Sequence, residues 1–473
     1  MKALPSPVVF PPGFLLGTAT ASYQIEGAVS EGGRGESIWD RFSHTPGNVL
    51  NGDHGDVACD HYHRYAGDVA LMRELGLGTY RFSFAWTRFQ PDGTGGLNPA
   101  GVAFYDRLVD ELLEAGIRPW ATLYHWDLPQ ALEDAGGWPA RDTAARFADY
   151  AAAVHEHFAD RVGDWTTLNE PWCSAFLGYA SGHHAPGRTD PAAAMAAAHH
   201  LLLAHGLAMQ TMRSARPDLR YGITLNLYPV DAATPSASDQ DAARRVDGIQ
   251  NRWFLDPLFT GSYPADVHAE LAGLLGDVVR DGDLATIAQP LDLLGINYYS
   301  RHVVRRAGPD EPADADTDGG EHGRRDPGWV GATDAVRVDT GKPTTAMGWE
   351  VDADGLYDVL VRVTKEYSPP PLYVTENGAA YTDIVTRDGD GTATVHDTER
   401  TAFLASHFAA ANRAIDDGVD LRGYLVWSLL DNFEWAWGYD RRFGIVHVDF
   451  ATQQRTLKDS AKWLATVAAA NPS

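Results

Sequence analysis

The sequence predicts an α/β chain folded as one (β/α)8 TIM barrel with extended βα loops, and three observations carry that expectation. Eight short apolar runs, rich in β-branched and aromatic residues, are spread along 473 residues with helical patterns between them. Strand-helix alternation repeated eight times is the sequence form of a closed parallel barrel, a fold that routinely exceeds about 250 residues as one unit. Two of the runs end in a glutamate, Glu170 and Glu376, and such barrels carry their chemistry at the C-terminal ends of the strands. A doubly wound open sheet would usually show a glycine-rich phosphate loop after an early strand, and neither that fingerprint nor a P-loop is present.

In chain order, the first strand is expected at residues 14–20 and the second at 79–86, with an amphipathic helix candidate at 62–75 leading into the second. A helix at 102–115 leads to the third strand at 119–126, and a helix at 143–158 to the fourth at 165–170. The long pattern at 192–213 precedes the fifth strand at 221–227, and the sixth follows at 291–299. The seventh is expected at 372–376, then a helix at 400–416 and the eighth strand at 421–428. Glu74-Leu75-Gly76 and Glu114-Ala115-Gly116 supply glycine where a helix would end. Residues 301–346 are polar and rich in Gly, Asp and Arg, so they read as a long loop after the sixth strand rather than a linker. Without a composition shift elsewhere, residues 1–473 are expected to form a single domain.

Hydrophobic residues make up 44% of the chain and aromatic residues 11%, ample for a core. With 38 basic and 64 acidic side chains the formal charge is −26, which argues against nucleic acid and anionic membrane surfaces as partners. Cys59 and Cys173 are too few for a disulfide scaffold, and reduced thiols fit a cytoplasmic protein. The proline-broken start lacks the apolar core of a signal peptide, and no stretch approaches the ~18 uninterrupted apolar residues of a membrane span. The expectation is a soluble cytoplasmic protein, as monomer or homo-oligomer.

The polar residues at the predicted strand ends form one constellation at the barrel mouth. Gln24 follows the first strand, Arg81 lies in the second, and His125 and Trp126 end the third. Asn169 and Glu170 end the fourth strand, Asn297 and Tyr299 the sixth and Glu376 the seventh, while Trp427, Glu434 and Trp435 lie on and after the eighth. Two carboxylates at strand ends are what a double-displacement glycosidase needs: one attacks a sugar carbon and the other protonates the departing oxygen. The hydrogen-bonding groups around them suit a polyhydroxylated ligand.

In these motifs the chain resembles glycoside hydrolase family 1, of the β-glucosidase type, over nearly its whole length. The carriers are residues 14–27, Tyr124-His125-Trp126-Asp127-Leu128-Pro129, Leu168-Asn169-Glu170-Pro171, Thr375-Glu376-Asn377-Gly378 and residues 427–435. The resemblance implies Glu376 as nucleophile, Glu170 as general acid then base, and Arg81 and Tyr299 as partners of the nucleophile. It implies Asn169 at the sugar 2-hydroxyl, Gln24, His125, Glu434 and Trp435 at the 3-, 4- and 6-hydroxyls, and Trp427 as a platform. Two variants of the family pattern are disfavoured. Glu170 stands where myrosinase-like members carry Gln, and Glu434 replaces the phosphate clamp of 6-phospho-glycosidases with a carboxylate that would repel phosphate.

Trp172, Cys173, Leu177, His184 and Trp329 are expected at the aglycone entrance, Trp329 being equally readable as a loop anchor. Trp39, Trp86 and Trp463 read as core. The histidine pairs at 61/63, 183/184 and 199/200 read as structural, so neither metal nor cofactor is expected. The run from Asp388 to Thr392 imitates a calcium loop but places Ala393 where that loop needs glycine, and reads as a surface hairpin. The resulting expectation is a retaining β-glucosidase acting on β-glucosides and short oligosaccharides, as in cellulose breakdown. A β-galactosidase or β-fucosidase, a transglycosylase and a non-catalytic sugar-binding barrel remain open alternatives.

Overall fold

Eight parallel strands close on themselves: β1 (Leu15–Ala19), β2 (Thr79–Ser83), β3 (Arg118–Tyr124), β4 (Asp164–Asn169), β5 (Arg220–Asn226), β6 (Leu293–Asn297), β7 (Leu372–Asn377) and β8 (Leu421–Trp427). Each pairs with its neighbours in sequence, and β8 returns to β1 with Leu15 opposite Gly423 and Ala19 opposite Trp427. The computed structural model describes residues 4–308, 311, 328–387 and 393–472. Every expected run contains or overlaps one of these strands; the second run was drawn too long, because Trp86–Phe89 turns into a short helix.

The strands are buried on both faces, by side chains filling the barrel and by the outer helices. Helix Pro99–Glu114 shows how the outer layer is built. The Asn98 side chain accepts from the Ala100 N–H, Pro99 starts the first turn, and Phe104, Tyr105, Leu108, Val109 and Leu112 form the buried stripe. Its end is set by Gly116, at φ 73°, with Ile117 N–H reaching back to the Leu112 carbonyl at 2.8 Å. Trp39, Trp86 and Trp463 are fully buried, as expected of core.

Helix Pro191–Ala215 has 25 residues and is apolar enough by length and composition to cross a bilayer, although His199, His200, His205 and Gln210 break its apolar run well short of ~18 uninterrupted residues. Its most apolar stretch is 89% buried inside the protein, where it serves as a core helix. The supposed loop at 301–346 carries His302–Arg306 and Ala335–Arg337, which join Val230–Ala232 in a three-stranded sheet. His302–Arg306 alternates buried and more exposed positions and ends in two arginines, and Ala335–Arg337 is three residues long, so the segment lacked the apolar run that marks a barrel strand. This sheet lies beside the barrel mouth and contributes His302, Val303 and Arg337 to its cavity. Asp388–Thr392 lies outside the described residues; the flanking strands Val385–Arg387 and Ala393–Val395 pair antiparallel.

The segment after β8 is fixed by a buried ionic cluster. Lys458, fully buried, donates to Asp431 at 2.7 Å and pairs with Asp383, while Arg442 reaches Asp431 at 2.8 Å. Arg400 joins Asp383 and Asp397 at 3.1 and 2.6 Å. These contacts hold the chain that carries Glu434 and Trp435 over the mouth.

Candidate active site

At the C-terminal ends of the strands lies a cavity of about 500 Å³ lined by Glu170, Glu376, His125, Trp126, Tyr299, Trp427, Glu434 and Trp435, among others. Glu376 sits at the end of β7, 3% exposed, and its two oxygens have different donors. Arg81 on β2 donates through Nη1 to Oε1 at 2.7 Å, and the Tyr299 hydroxyl donates to Oε2 at 2.9 Å. The glycine that follows Asn377 is dictated by close approach: a Cβ on Gly378 would lie 1.6 Å from the Trp427 carbonyl oxygen.

Glu170 stands one residue beyond β4 in a left-handed conformation, φ 47°, which turns the chain from the strand into the π-helical segment Cys173–Ser181. Asn297 Nδ2 donates to its Oε1 at 2.6 Å and the Cys173 thiol to its Oε2 at 3.1 Å. The same Asn297 nitrogen reaches Asn169 Oδ1 at 3.0 Å, and that oxygen also accepts from Arg81 Nη2 at 2.6 Å. A continuous run of hydrogen bonds therefore links the two carboxylates through Asn297, Asn169 and Arg81.

Burial, followed by the negative charge of Glu376, pushes Glu170 up to about 8. Burial raises Glu376 as well, but the Arg81 cation and the donors Tyr299 and Asn297 oppose it. Glu376 is thus the carboxylate that ionises first, and Glu170 the one that keeps its proton. Glu434, walled in at the opposite side, is pushed up to about 8 by burial and by both other glutamates. Burial and then Arg81 hold His125 well below the usual histidine range, so its ring is neutral.

Several buried polar atoms in and beside this cavity lack a protein partner, among them Gln24 Oε1 and His125 Nδ1 on the side of Glu434 and Asn169. Gln24 spends Nε2 on Asn432, Phe433 and Glu434, leaving Oε1 unpaired, and His125 contacts Asn169 through Nε2 at 3.1 Å, leaving Nδ1 unpaired. Buried unpaired donors and acceptors are costly, and a polyol ligand satisfies them. Trp126 and Trp435 pack at 4.6 Å with His184 5.1 Å from Trp126, while the Trp427 ring lies 5.7 Å from His125.

The structure brings the predicted set together with two shifts of position. Asn297 is committed to Glu170, Asn169 and Thr375 rather than presented to the cavity. Trp329 stands one layer back from the cavity, donating to Gln250 at 3.3 Å and packing on His302 and Arg337, both of which line it. Trp172, Cys173, Leu177 and His184 do line the outer part. Unanticipated lining residues include Asn226, Tyr228, Gln250, His302, Arg337 and Trp349. Tyr228 stacks on His302 at 4.4 Å, and Trp349 lies 5.3 Å from Tyr299. Asn226 and Tyr228 bracket the end of the fifth predicted strand and were open to the argument used for the other seven. Histidines judged structural are held by protein groups: His61 by Asp68 at 2.8 Å, and His199 by Tyr263 and Asp283 at 2.8 and 2.9 Å.

The sequence profile described as glycosyl hydrolase family 1 matches residues 6–473. A thermostable beta-glucosidase B from Thermobispora bispora is 52% identical, covering 98% of this chain and 91% of its own. A bifunctional beta-D-glucosidase/beta-D-fucosidase from Bifidobacterium breve is 49% identical over 96% of this chain and 97% of its own. The crystal structure of a psychrophilic beta-glucosidase from Micrococcus antarcticus superposes with a TM-score of 0.93 at 50% identity, covering 98% of both chains. A family 1 β-glucosidase from Thermotoga maritima, solved with isofagomine lactam, gives 0.90 at 45% identity over 98% of this chain and 99% of that one. The chain belongs to glycosyl hydrolase family 1.

Proposed function

We propose, from that membership as premise, that this enzyme is a retaining β-glucosidase in which Glu376 attacks the anomeric carbon and Glu170 is the acid/base. One observation carries the assignment: within one cavity, Glu376 is paired with a buried arginine while Glu170 is pushed up to about 8. Glu376 forms a bond to the anomeric carbon as the glycosidic C–O bond breaks, and the departing oxygen takes the Glu170 proton. Glu170, now a carboxylate, accepts a proton from water as that water displaces Glu376, so both groups return to their starting forms. Asn169, beside Arg81, is the group for the 2-hydroxyl, and Gln24, His125 and Glu434 bind the far side of the ring.

Support for glucose comes from the relatives' names as beta-glucosidases, and support for an unphosphorylated sugar from Glu434, a carboxyl surrounded by two other glutamates where a 6-phosphate would need cationic partners. Short cellulose-derived oligosaccharides and aryl or alkyl glucosides fit a cavity of this size with an aromatic entrance. Cytoplasmic action is the reading that a chain with only two cysteines, both buried, supports. The test is a panel of nitrophenyl β-glycosides (glucoside, fucoside, galactoside and glucoside 6-phosphate), with proton NMR of the first product. β-Glucose released first, and kcat/KM highest for the glucoside, are expected; α-glucose released first would overturn retention.

A further inference from the structure

His44, His54 and Asp56 meet on the surface where helix Ile38–His44 gives way to the loop before helix His61–Glu74, with one ligand atom of each within 4.8 Å of the others. His44 Nε2 lies 3.3 Å from Asp56 Oδ2, and His54 Nδ1 lies 3.2 Å from Asp56 Oδ1. The two imidazoles are stacked, with centroids 4.7 Å apart and planes 20° from parallel. Metal–ligand bonds of ~2.0–2.1 Å at a tetrahedral angle put two ligand atoms ~3.3 Å apart, which is how far each imidazole nitrogen stands from its own oxygen of the Asp56 carboxylate.

His44 Nδ1 lies 2.7 Å from the Asp40 carbonyl oxygen, which can only accept, so Nδ1 carries the proton. In the neutral ring Nε2 then presents a lone pair toward Asp56 Oδ2, 3.3 Å away, and a proton or a metal ion can bridge the two. Asp40 is itself fixed, its carboxylate accepting from Ser37 and Arg34, so the backbone atom that orients His44 is preset. Asp56 Oδ1 is buried and accepts no hydrogen bond despite its 3.2 Å approach to His54.

We propose that His44, His54 and Asp56 bind a divalent transition-metal ion of the Zn2+ class, with water completing its coordination. Two imidazoles and one carboxylate select zinc, copper or nickel over magnesium and calcium, which prefer all-oxygen sites. The ion fastens the end of the helix to the loop at 53–56, and that loop braces the chain beyond Glu434. Asp53 accepts the Tyr439 N–H at 3.0 Å, and the Tyr439 hydroxyl donates to the His54 carbonyl at 2.8 Å. Zinc therefore stabilises the rim of the sugar pocket without touching the reacting groups.

Titration calorimetry of the full chain with zinc chloride tests this, beside magnesium chloride and the variants His44→Ala, Asp56→Asn and His63→Ala. His63 is the control, because its two nitrogens face opposite carboxylates, Asp60 at 2.6 Å and Glu31 at 3.1 Å, and cannot converge with them on one ion. One zinc per chain is expected, weakened at least ~10-fold by His44→Ala and by Asp56→Asn, unchanged by His63→Ala and not reproduced by magnesium. Zinc should raise the melting temperature of the parent and leave those of the two weakened variants in place. All three variants should turn over nitrophenyl glucoside, which shows that they fold. Absence of saturable zinc binding, equal binding of magnesium, or zinc binding that survives both substitutions would overturn the proposal.

Discussion

Arg81 and Glu376 form a buried ion pair, Nη1 to Oε1 at 2.7 Å, with the two side chains 1% and 4% exposed. The direct donors to Glu170, by contrast, are the neutral groups of Asn297 and Cys173. This difference in partner separates two glutamates that share one cavity and one hydrogen-bond network. The cation favours the ionised form of its neighbour, while burial beside that negative neighbour keeps the other protonated.

Glu376→Gly should abolish hydrolysis of nitrophenyl β-glucoside, because the group that forms the covalent bond is gone. Added azide should restore turnover and give the α-glucosyl azide, since the small anion attacks from the vacated face. A β-configured azide would assign the missing residue to the acid/base role instead.

Glu170→Gln should separate substrates by leaving group. General acid catalysis is typically worth ~10²–10⁴-fold, and that loss is expected for cellobiose and alkyl glucosides. The first step with dinitrophenyl glucoside should be nearly spared, since its leaving group departs without a proton. In the parent, kcat/KM should fall as pH rises through about 8, where Glu170 loses its proton. Equal losses on both substrates would contradict the role.

Much of this site was legible because its residues sit at ends of apolar runs, where the two-residue strand period and the barrel's polarity fix which end is the mouth. Glu170, Glu376 and Tyr299 were reachable that way, while Arg81, inside its strand, drew its role from the family resemblance. The roles of Asn297 and Trp329 were not, because which neighbour consumes a side chain's hydrogen bonds depends on contacts 128 residues apart, as between Asn297 and Asn169. The sheet over the mouth escaped notice because strands such as Ala335–Arg337 have three residues, too short for any periodicity to register.

Glu434 links catalysis to stability. Its carboxyl is raised from 4.5 to about 8 in the folded protein, so across that window the native state keeps a proton that the unfolded chain has released. Stability should therefore decline as pH rises from about 4.5 to about 8 and then level off. Glu434→Gln removes the titration, so its melting temperature should gain on the parent's as pH rises through this window, at the expense of glucoside affinity. Parallel melting curves for the two proteins across the window would refute the assignment.

Lys458 tests the ionic brace behind the pocket. Replacing it by Met leaves Asp431 and Asp383 short of one cation in a fully buried setting, where breaking such a pair typically costs about 3–5 kcal/mol. A lowered melting temperature is expected, together with a raised KM for glucosides, because the chain carrying Glu434 and Trp435 loses its anchor. Lys458→Met combined with Asp431→Asn should recover part of the loss; no recovery would mean that the two groups are not energetically coupled.

The cavity entrance should govern preference for the leaving group and for free glucose. Trp172 and Leu177 line the outer cavity on the segment that follows Glu170, with Trp172 packed 5.7 Å from Phe176. A flat aryl aglycone that covers ~50 Å² of this apolar rim gains about 1.3 kcal/mol at about 25 cal/mol per Å², close to tenfold in affinity. An alkyl chain of a few carbons covers less, so Trp172→Ala and Leu177→Ala should raise KM several-fold for aryl glucosides and less for alkyl ones. The same truncations widen the path beside the acid/base, so glucose should settle there more readily and inhibit at lower concentration. Thermal melts establish whether each variant is folded, and Trp172→Phe retains an aromatic wall if Trp172→Ala is unstable. Folded variants that keep both the parent's inhibition constant and its aryl preference would show that these side chains only support the barrel wall.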